Sequence, residues 1–149
     1  MLIRLSLKKS SNINYHGGSE VVLELEDYIN GCVAQEVGNA HIEACKAQAI
    51  AARSFAISRS KHTSSTFQAY EGSKVKNPQY PNPQKAAEQT KSMVLTYNGK
   101  IALPAAYSSN NGGKITSSAE RWGGTRNWLI SKEDPYDVGL KTGHGVGMS

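Results

Sequence analysis

Glu36 is the residue of this sequence best placed to do chemistry. It falls three residues after Val33 on a helical stripe that also carries Ile29, Cys32 and Val37, so the spacing predicts a carboxyl group turned toward the core side. A desolvated carboxylic acid keeps its proton to higher pH and can act as a general acid. The plainer reading is a helix-end carboxylate or one half of an ion pair, since ion-pair networks shift acid strengths too. Arg53 lies between Ile50 and Ile57 on one stripe of a second helical pattern. Its guanidinium is held near the core and asks for an acidic or sugar-oxygen partner; a snorkelling side chain or a buried structural pair is the alternative.

His144 sits among Gly143, Gly145 and Gly147, where small residues let an imidazole and the backbone approach a ligand, unless it is simply an exposed linker histidine. Ser108 and Ser109 precede Asn110-Asn111-Gly112-Gly113; with no GxSxG elbow they read as turn formers rather than nucleophiles. His41 and Cys45 are four apart, with Cys32 as a third soft side chain. A structural zinc site normally needs four ligands, so no metal is expected. Cys32 and Cys45 could pair, but each sits in an apolar helical pattern where a free thiol behaves as a small hydrophobe.

Several segments must position these residues. Ile3, Leu5 and Leu7 alternate with Arg4, Ser6 and Lys8, and Val21, Leu23 and Leu25 with Glu24 and Glu26, which predicts two strands around a polar turn at residues 10–19. A helix follows from Tyr28 to about Val37 with Asp27 as N-cap, ended by Gly38-Asn39. Ile42, Cys45, Ala49, Ala52 and Ala56 mark a second, longer helix whose alanines allow close approach. Residues 61–83 read as loop and residues 84–91 as a short helix. Asn98-Gly99 predicts a hairpin between strands at 93–97 and 100–107, with Pro104 at an edge or bulge. The end, from Trp122 to Ser149, reads as irregular.

A chain of 149 residues is the size of one domain, and the fold class expected is α+β, a single domain over residues 1–149 with helices packed on antiparallel strands and hairpins. The formal charge of +5 is spread along the chain, which favours polyanionic partners in general. Against a nucleic-acid role, there is no basic stripe interleaved with aromatics, and Walker and GxGxxG motifs are absent too. No stretch approaches the roughly 18 apolar residues of a membrane span, and the opening MLIRLSLKK lacks the apolar region of a signal peptide.

Five ordered blocks then carry a resemblance: residues 25–36 (LEDYINGCVAQE), 43–56 (EACKAQAIAARSFA), 68–72 (QAYEG), 107–113 (YSSNNGG) and 144–149 (HGVGMS). Over about residues 20–149 the chain resembles the family of stage II sporulation protein D and the amidase enhancer. The resemblance implies a peptidoglycan lytic transglycosylase that cleaves the MurNAc–GlcNAc β-1,4 bond, in sporulation proteins on strands stripped of stem peptides. Glu36 matches the family's catalytic glutamate. Arg53, Gln68, Tyr70, Tyr107, Ser108, Ser109 and His144 are the residues expected to position sugar or Glu36. No cofactor, nucleic acid or membrane span is implied; a wall amidase or a larger lysin or tail assembly would be the protein partner, at the cell wall, outside the cell or on a virion. The alternative is a non-catalytic wall-binding or amidase-activating module. Some relatives look to carry zinc after the arginine helix, but residues 61–68 hold His62 and no Cys, so that site is not carried over. Val37, Ser92 and Cys45 stand where the family often has Met, Gly and Leu, and look like packing changes. The chain resembles the short form found in phage or mobile-element tail lysins.

Overall fold

The structure, a computed structural model, describes residues 1–6, 20–59 and 69–149. The polar turn at residues 10–19 therefore lies outside the described residues, as do Leu7, Lys8, His62 and Gln68. The chain divides into two compact units, Met1–Leu95 and Thr96–Ser149.

In the first unit β1 (Leu2–Ser6) pairs antiparallel with β2 (Glu20–Glu24), Leu2 facing Glu24 and Ser6 facing Glu20. The chain passes without a linker into α1 (Leu25–Val37). The helix therefore starts before the expected Asp27 cap: Glu24 takes the N-cap position in extended geometry, and Asp27 joins Glu26 in the first turn, where carboxylates complement the helix dipole. Leu25, Tyr28, Ile29, Cys32 and Val33 are buried at helical spacing, and Gly38, at φ 60°, ends the helix. The second helix, α2 (Ile42–Arg59), turns Cys45, Ala49, Ala52 and Ala56 into the same core. Both cysteines are free thiols, and burial pushes both up, which suits packing rather than reactivity. A third helix, α3 (Pro81–Gln89), begins earlier than the expected 84–91 because Pro81 takes the first helical position. It adds Pro83, Ala86 and Ala87 to the core and packs against both α1 and α2.

The second unit is built from short pieces. β3 (Thr96–Tyr97) and β4 (Lys100–Ile101) form the expected hairpin, with Asn98 and Gly99 at φ 50° and 73°, the positive values a tight primed turn demands. Its strands are two residues each, shorter than the predicted 93–97 and 100–107. β5 (Lys114–Ile115) pairs antiparallel with β6 (Lys132–Glu133). Between them stands α4 (Ser118–Trp122), which the sequence reading missed; its Ser117/Glu120 capping box was the available signal. The C-terminal stretch makes isolated parallel bridges, Met148 to Tyr107 and Val146 to Thr116. The architecture is α+β, and every multi-residue strand pairing among the described residues is antiparallel. No helix among them is long and apolar enough to cross a membrane.

Candidate active site

The stripe that buries Leu25, Ile29 and Val33 does carry Glu36, eleven residues and about three turns beyond Leu25. Its depth differs from the expectation. The last turn of α1 brings the stripe to the surface, so Gln35 is half-buried and Glu36 exposed. Core burial therefore does not act on this carboxyl group; its fixation comes from a neighbouring stretch of backbone. The Ala69 amide donates to Glu36 Oε1 at 3.2 Å, and no hydrogen bond to Oε2 is found among the described residues.

Residues 69–76 lie along α1 and are tied to it at successive turns. Tyr70 is buried, stacked on Tyr28 with ring centroids 5.2 Å apart, and lies so close over Gly31 that a Cβ there would come within 2.5 Å of its ring. Lys74 Nζ donates to the Ala34 carbonyl at 3.5 Å, the Lys76 amide donates to Asn30 Oδ1 at 2.7 Å, and Lys76 Nζ pairs with Asp27 at 2.8 Å. The bond to Asp27 and its charge hold the Lys76 ammonium above its ordinary range. A 3₁₀ turn at Gly72–Lys74, capped by the Glu71 carboxylate, closes the segment. Tyr70, one of the residues expected to position sugar or Glu36, is the packing that brings Ala69 to Glu36.

Arg53 is 0% exposed, which places it in the scaffold rather than against a substrate. Its guanidinium forks onto Glu26, Nε to Oε1 at 3.1 Å and Nη2 to Oε2 at 2.6 Å. The remaining donors reach Met93 O at 3.1 Å, Ala87 O at 3.2 Å and Thr90 Oγ1 at 3.3 Å. One side chain thereby joins the start of α1, the middle of α2, the last turn of α3 at the Ala87 carbonyl and the segment just beyond it at Met93. The acidic partner asked for by the sequence is Glu26, which went unnoticed because an acid in a first helical turn already has a reason to be there.

Tyr107, Ser108, Ser109 and His144 belong to the second unit. The Ser108 amide donates to Met148 O at 2.8 Å, the Met148 amide to Ala106 O at 3.1 Å, and a Cβ on Gly143 would meet Ser108 Cβ at 3.7 Å. The unit thus brings Ser108 beside the loop that carries His144. Ser108 Oγ is buried with no hydrogen-bond partner among the described residues, while Ser109 is exposed. The Val146 amide donates to His144 Nδ1 at 3.0 Å, which assigns the ring proton to Nε2. Burial, assisted by the charge of Arg121, lowers the imidazole below its ordinary 6.5, and Trp122 stands edge-on to the ring at 5.0 Å. His41 is exposed, its Nδ1 accepting from the Glu43 amide, and Cys45 Sγ donates to Ala40 O. No group of metal-ligating side chains is found among the described residues.

Two features escaped the sequence reading because neither has a distinctive residue type: the Ala69 amide, and Asn111. Asn111 is 1% exposed; its Nδ2 donates to Asp134 Oδ2 at 2.7 Å, its Oδ1 accepts from the Gly113 amide at 2.9 Å, and its own amide donates to Asp137. The Asn111 amide group, with smaller help from Ser149 and nearby backbone, holds the Asp134 carboxyl below the usual carboxylate range.

The helical core thus presents a backbone-anchored glutamate at the end of α1 and a buried arginine on α2, and the sequence comparison says which family such a chain belongs to. The chain belongs to the stage II sporulation protein D family: residues 17–97, more than half of it, match SpoIID, described as Stage II sporulation protein. The match ends at 97, so the blocks at 107–113 and 144–149 lie beyond it. Over 99 residues the chain is 42% identical to the amidase enhancer of Bacillus subtilis (strain 168), an alignment that covers 64% of this chain and 13% of that protein's length.

Proposed function

We propose that this chain acts on the bacterial cell wall as a lytic transglycosylase, cleaving the MurNAc–GlcNAc β-1,4 bond of peptidoglycan without water. The observation that carries the reading is Glu36 itself, an exposed carboxylate at the family's glutamate position, held at Oε1 by the Ala69 amide and with no bond to Oε2 among the described residues. A glycosidase using two carboxylates must place both around one bond, whereas this reaction needs a single acid/base. Glu36 protonates the glycosidic oxygen as the bond breaks. It then takes the proton of the C6 hydroxyl as that oxygen closes onto C1, leaving a 1,6-anhydro-MurNAc end. The substrate would be glycan strands, with stripped strands the first to test. The site of action would be the wall, reached from outside the cell or within a larger lysin or tail assembly.

A second reading is an amidase-activating or wall-binding module. It is favoured by the printed name of the Bacillus subtilis relative. Incubating the protein with stripped glycan strands and analysing the products by mass spectrometry separates the two. The enzyme leaves 1,6-anhydro ends, and Glu36→Gln lowers the rate by about 10²–10⁴ at an unchanged melting temperature, since the side chain is exposed. Reducing ends alone would indicate hydrolysis. No cleavage, with strands retained on the protein, would support the module.

A further inference from the structure

The second unit contains a groove of about 440 Å³ whose walls include Lys114, Thr116, Glu120, Ser131, Leu140 and Lys141. Its size suits a saccharide unit. The side chain that distinguishes it is Lys141. Gly112 and Gly145 form a slot for its stem: a Cβ on Gly112 would lie 3.3 Å from Lys141 Cβ, and one on Gly145 would lie 2.9 Å from Lys141 Cε. The ammonium at the end of the stem donates to Thr116 Oγ1 at 2.6 Å. Thr116 is itself fixed, its amide donating to Gly145 O at 2.8 Å.

An exposed lysine normally keeps its rotamer freedom, and ordering one costs up to about 2 kcal/mol. Here the fold holds one in place with two of its three donors unspent and no carboxylate within ion-pair distance among the described residues. Glu120, the acid on the same wall, is committed elsewhere: its Oε2 accepts both the Ser117 hydroxyl at 2.6 Å and the Ser117 amide at 2.7 Å. These two bonds come first, and the charges of Lys114 and Lys141 add to them, in holding its carboxyl below the usual range. Lys114 is only loosely engaged, 3.9 Å from Glu133 and largely exposed. Two ammonium groups thus face one carboxylate whose Oε2 is taken by Ser117, beside an exposed apolar residue, Leu140. That combination fits a sugar ring bearing an acidic substituent with an apolar flank.

We propose that this groove binds the carboxylate of an acidic saccharide, with Lys141 as the anchoring cation. The assignment rests on the reading of the chain as a glycan-acting protein. Within that chemistry it selects the lactyl ether of N-acetylmuramic acid, which carries a free carboxylate and a methyl group wherever the stem peptide has been removed, and which N-acetylglucosamine lacks.

The test is an NMR titration of the full chain with N-acetylmuramic acid, N-acetylglucosamine and glycerol 3-phosphate in turn. Saturable shifts of the Gly112, Thr116, Lys141 and Gly145 amides by N-acetylmuramic acid are expected. N-acetylglucosamine should bind about tenfold or more weakly, the worth of one charge-assisted hydrogen bond. Lys141→Met, which keeps a stem over Gly145, should abolish that difference while leaving the other amide resonances in place. An equal response to the two sugars, no response to N-acetylmuramic acid, a Lys141→Met protein that still discriminates, or an equal or stronger response to glycerol phosphate would overturn the assignment. Strand cleavage is read separately: an intact N-acetylmuramic acid response in a protein that cleaves nothing removes the enzyme reading and leaves the groove.

Discussion

The two units hold themselves together by opposite means. Residues 1–95 are organised by helices whose apolar faces meet over alanines, with one buried guanidinium collecting the loose backbone ends. Among the described residues 96–149 the buried apolar side chains are Ala102, Leu129 and Val146. Their order comes from side chains bonded to backbone, such as Asn111 to Gly113, Ser118 to the Gly124 carbonyl and Ser131 to the Ile115 carbonyl. The difference teaches where each unit is vulnerable: the first to changes of volume and buried charge, the second to loss of single polar groups and to pH.

Substitution of Arg53 should expose that contrast most strongly. Arg53→Met leaves Glu26 facing a core without its cation and leaves the Ala87 and Met93 carbonyls and the Thr90 hydroxyl without its donors. Breaking a buried pair costs about 3–5 kcal/mol, toward the lower end here because Glu26 is a quarter exposed. Chemical denaturation should show the loss. A change under about 1 kcal/mol would mean that the guanidinium is not what joins the three helices.

Gly31→Ala comes next and reverses the usual rule. Alanine is ordinarily favoured over glycine inside a helix by roughly 1 kcal/mol. At Gly31 the new methyl would drive into the Tyr70 ring and Val75, a crowding that costs about 1–3 kcal/mol. Because Tyr70 adjoins Ala69, activity should fall along with stability. A stabilised Gly31→Ala protein would show that residues 69–76 do not press on α1 as described.

In the second unit, Asn111→Ala removes the donor to Asp134 and the acceptor for Gly113. About 1–2 kcal/mol is expected for such bonds. Hydrogen exchange should quicken at Gly113 while the α1 and α2 amides keep their protection. Equal loosening of both units would erase the contrast.

Acidification should produce the smallest effect. His144 is lowered from 6.5 in the folded chain, so the unfolded chain binds the proton first as pH falls. Stability is therefore full above about 6.5 and declines from there down to the folded value. Below that value the Val146 amide loses its acceptor at Nδ1 and should exchange faster. An unchanged Val146 exchange rate, corrected for the intrinsic rate, across the pH range in which the His144 ring itself is seen by NMR to take up its proton would show that this bond does not depend on neutral His144.

Much of the first unit was legible because its periods are clean. The alternation in β1 and β2 repeats often enough to fix the elements, and the buried stripe of α1 and the alanine stripe of α2 fix their faces as well. Depth along a helix was not legible: periodicity placed Glu36 on the right side of α1 but said nothing about where the core ends. Arg53 was read as needing an acidic or sugar-oxygen partner; the acid it meets, Glu26, was hidden by its second plausible role. Ser92, taken as a packing change, instead holds φ at 66°, a backbone requirement that explains why glycine suits that place. The second unit was the least legible. The Tyr107–Met148 and Thr116–Val146 bridges join residues far apart in sequence through one or two backbone bonds, and such pairings leave no pattern in either segment. α4, only five residues long, is too short for periodicity and was detectable only through its cap.

The grip on Glu36 by a peptide N–H has an evolutionary side. A main-chain donor is supplied by every amino acid except proline, so position 69 can drift through nearly the whole alphabet while the glutamate stays oriented. Selection would act instead at a distance, on Tyr70 and Gly31, whose fit brings that peptide into place. Alanine scanning would pass over the position in silence, since it is already alanine, and an ancestral reconstruction would assign it no importance. Of the twenty coded residues, proline alone removes the donor.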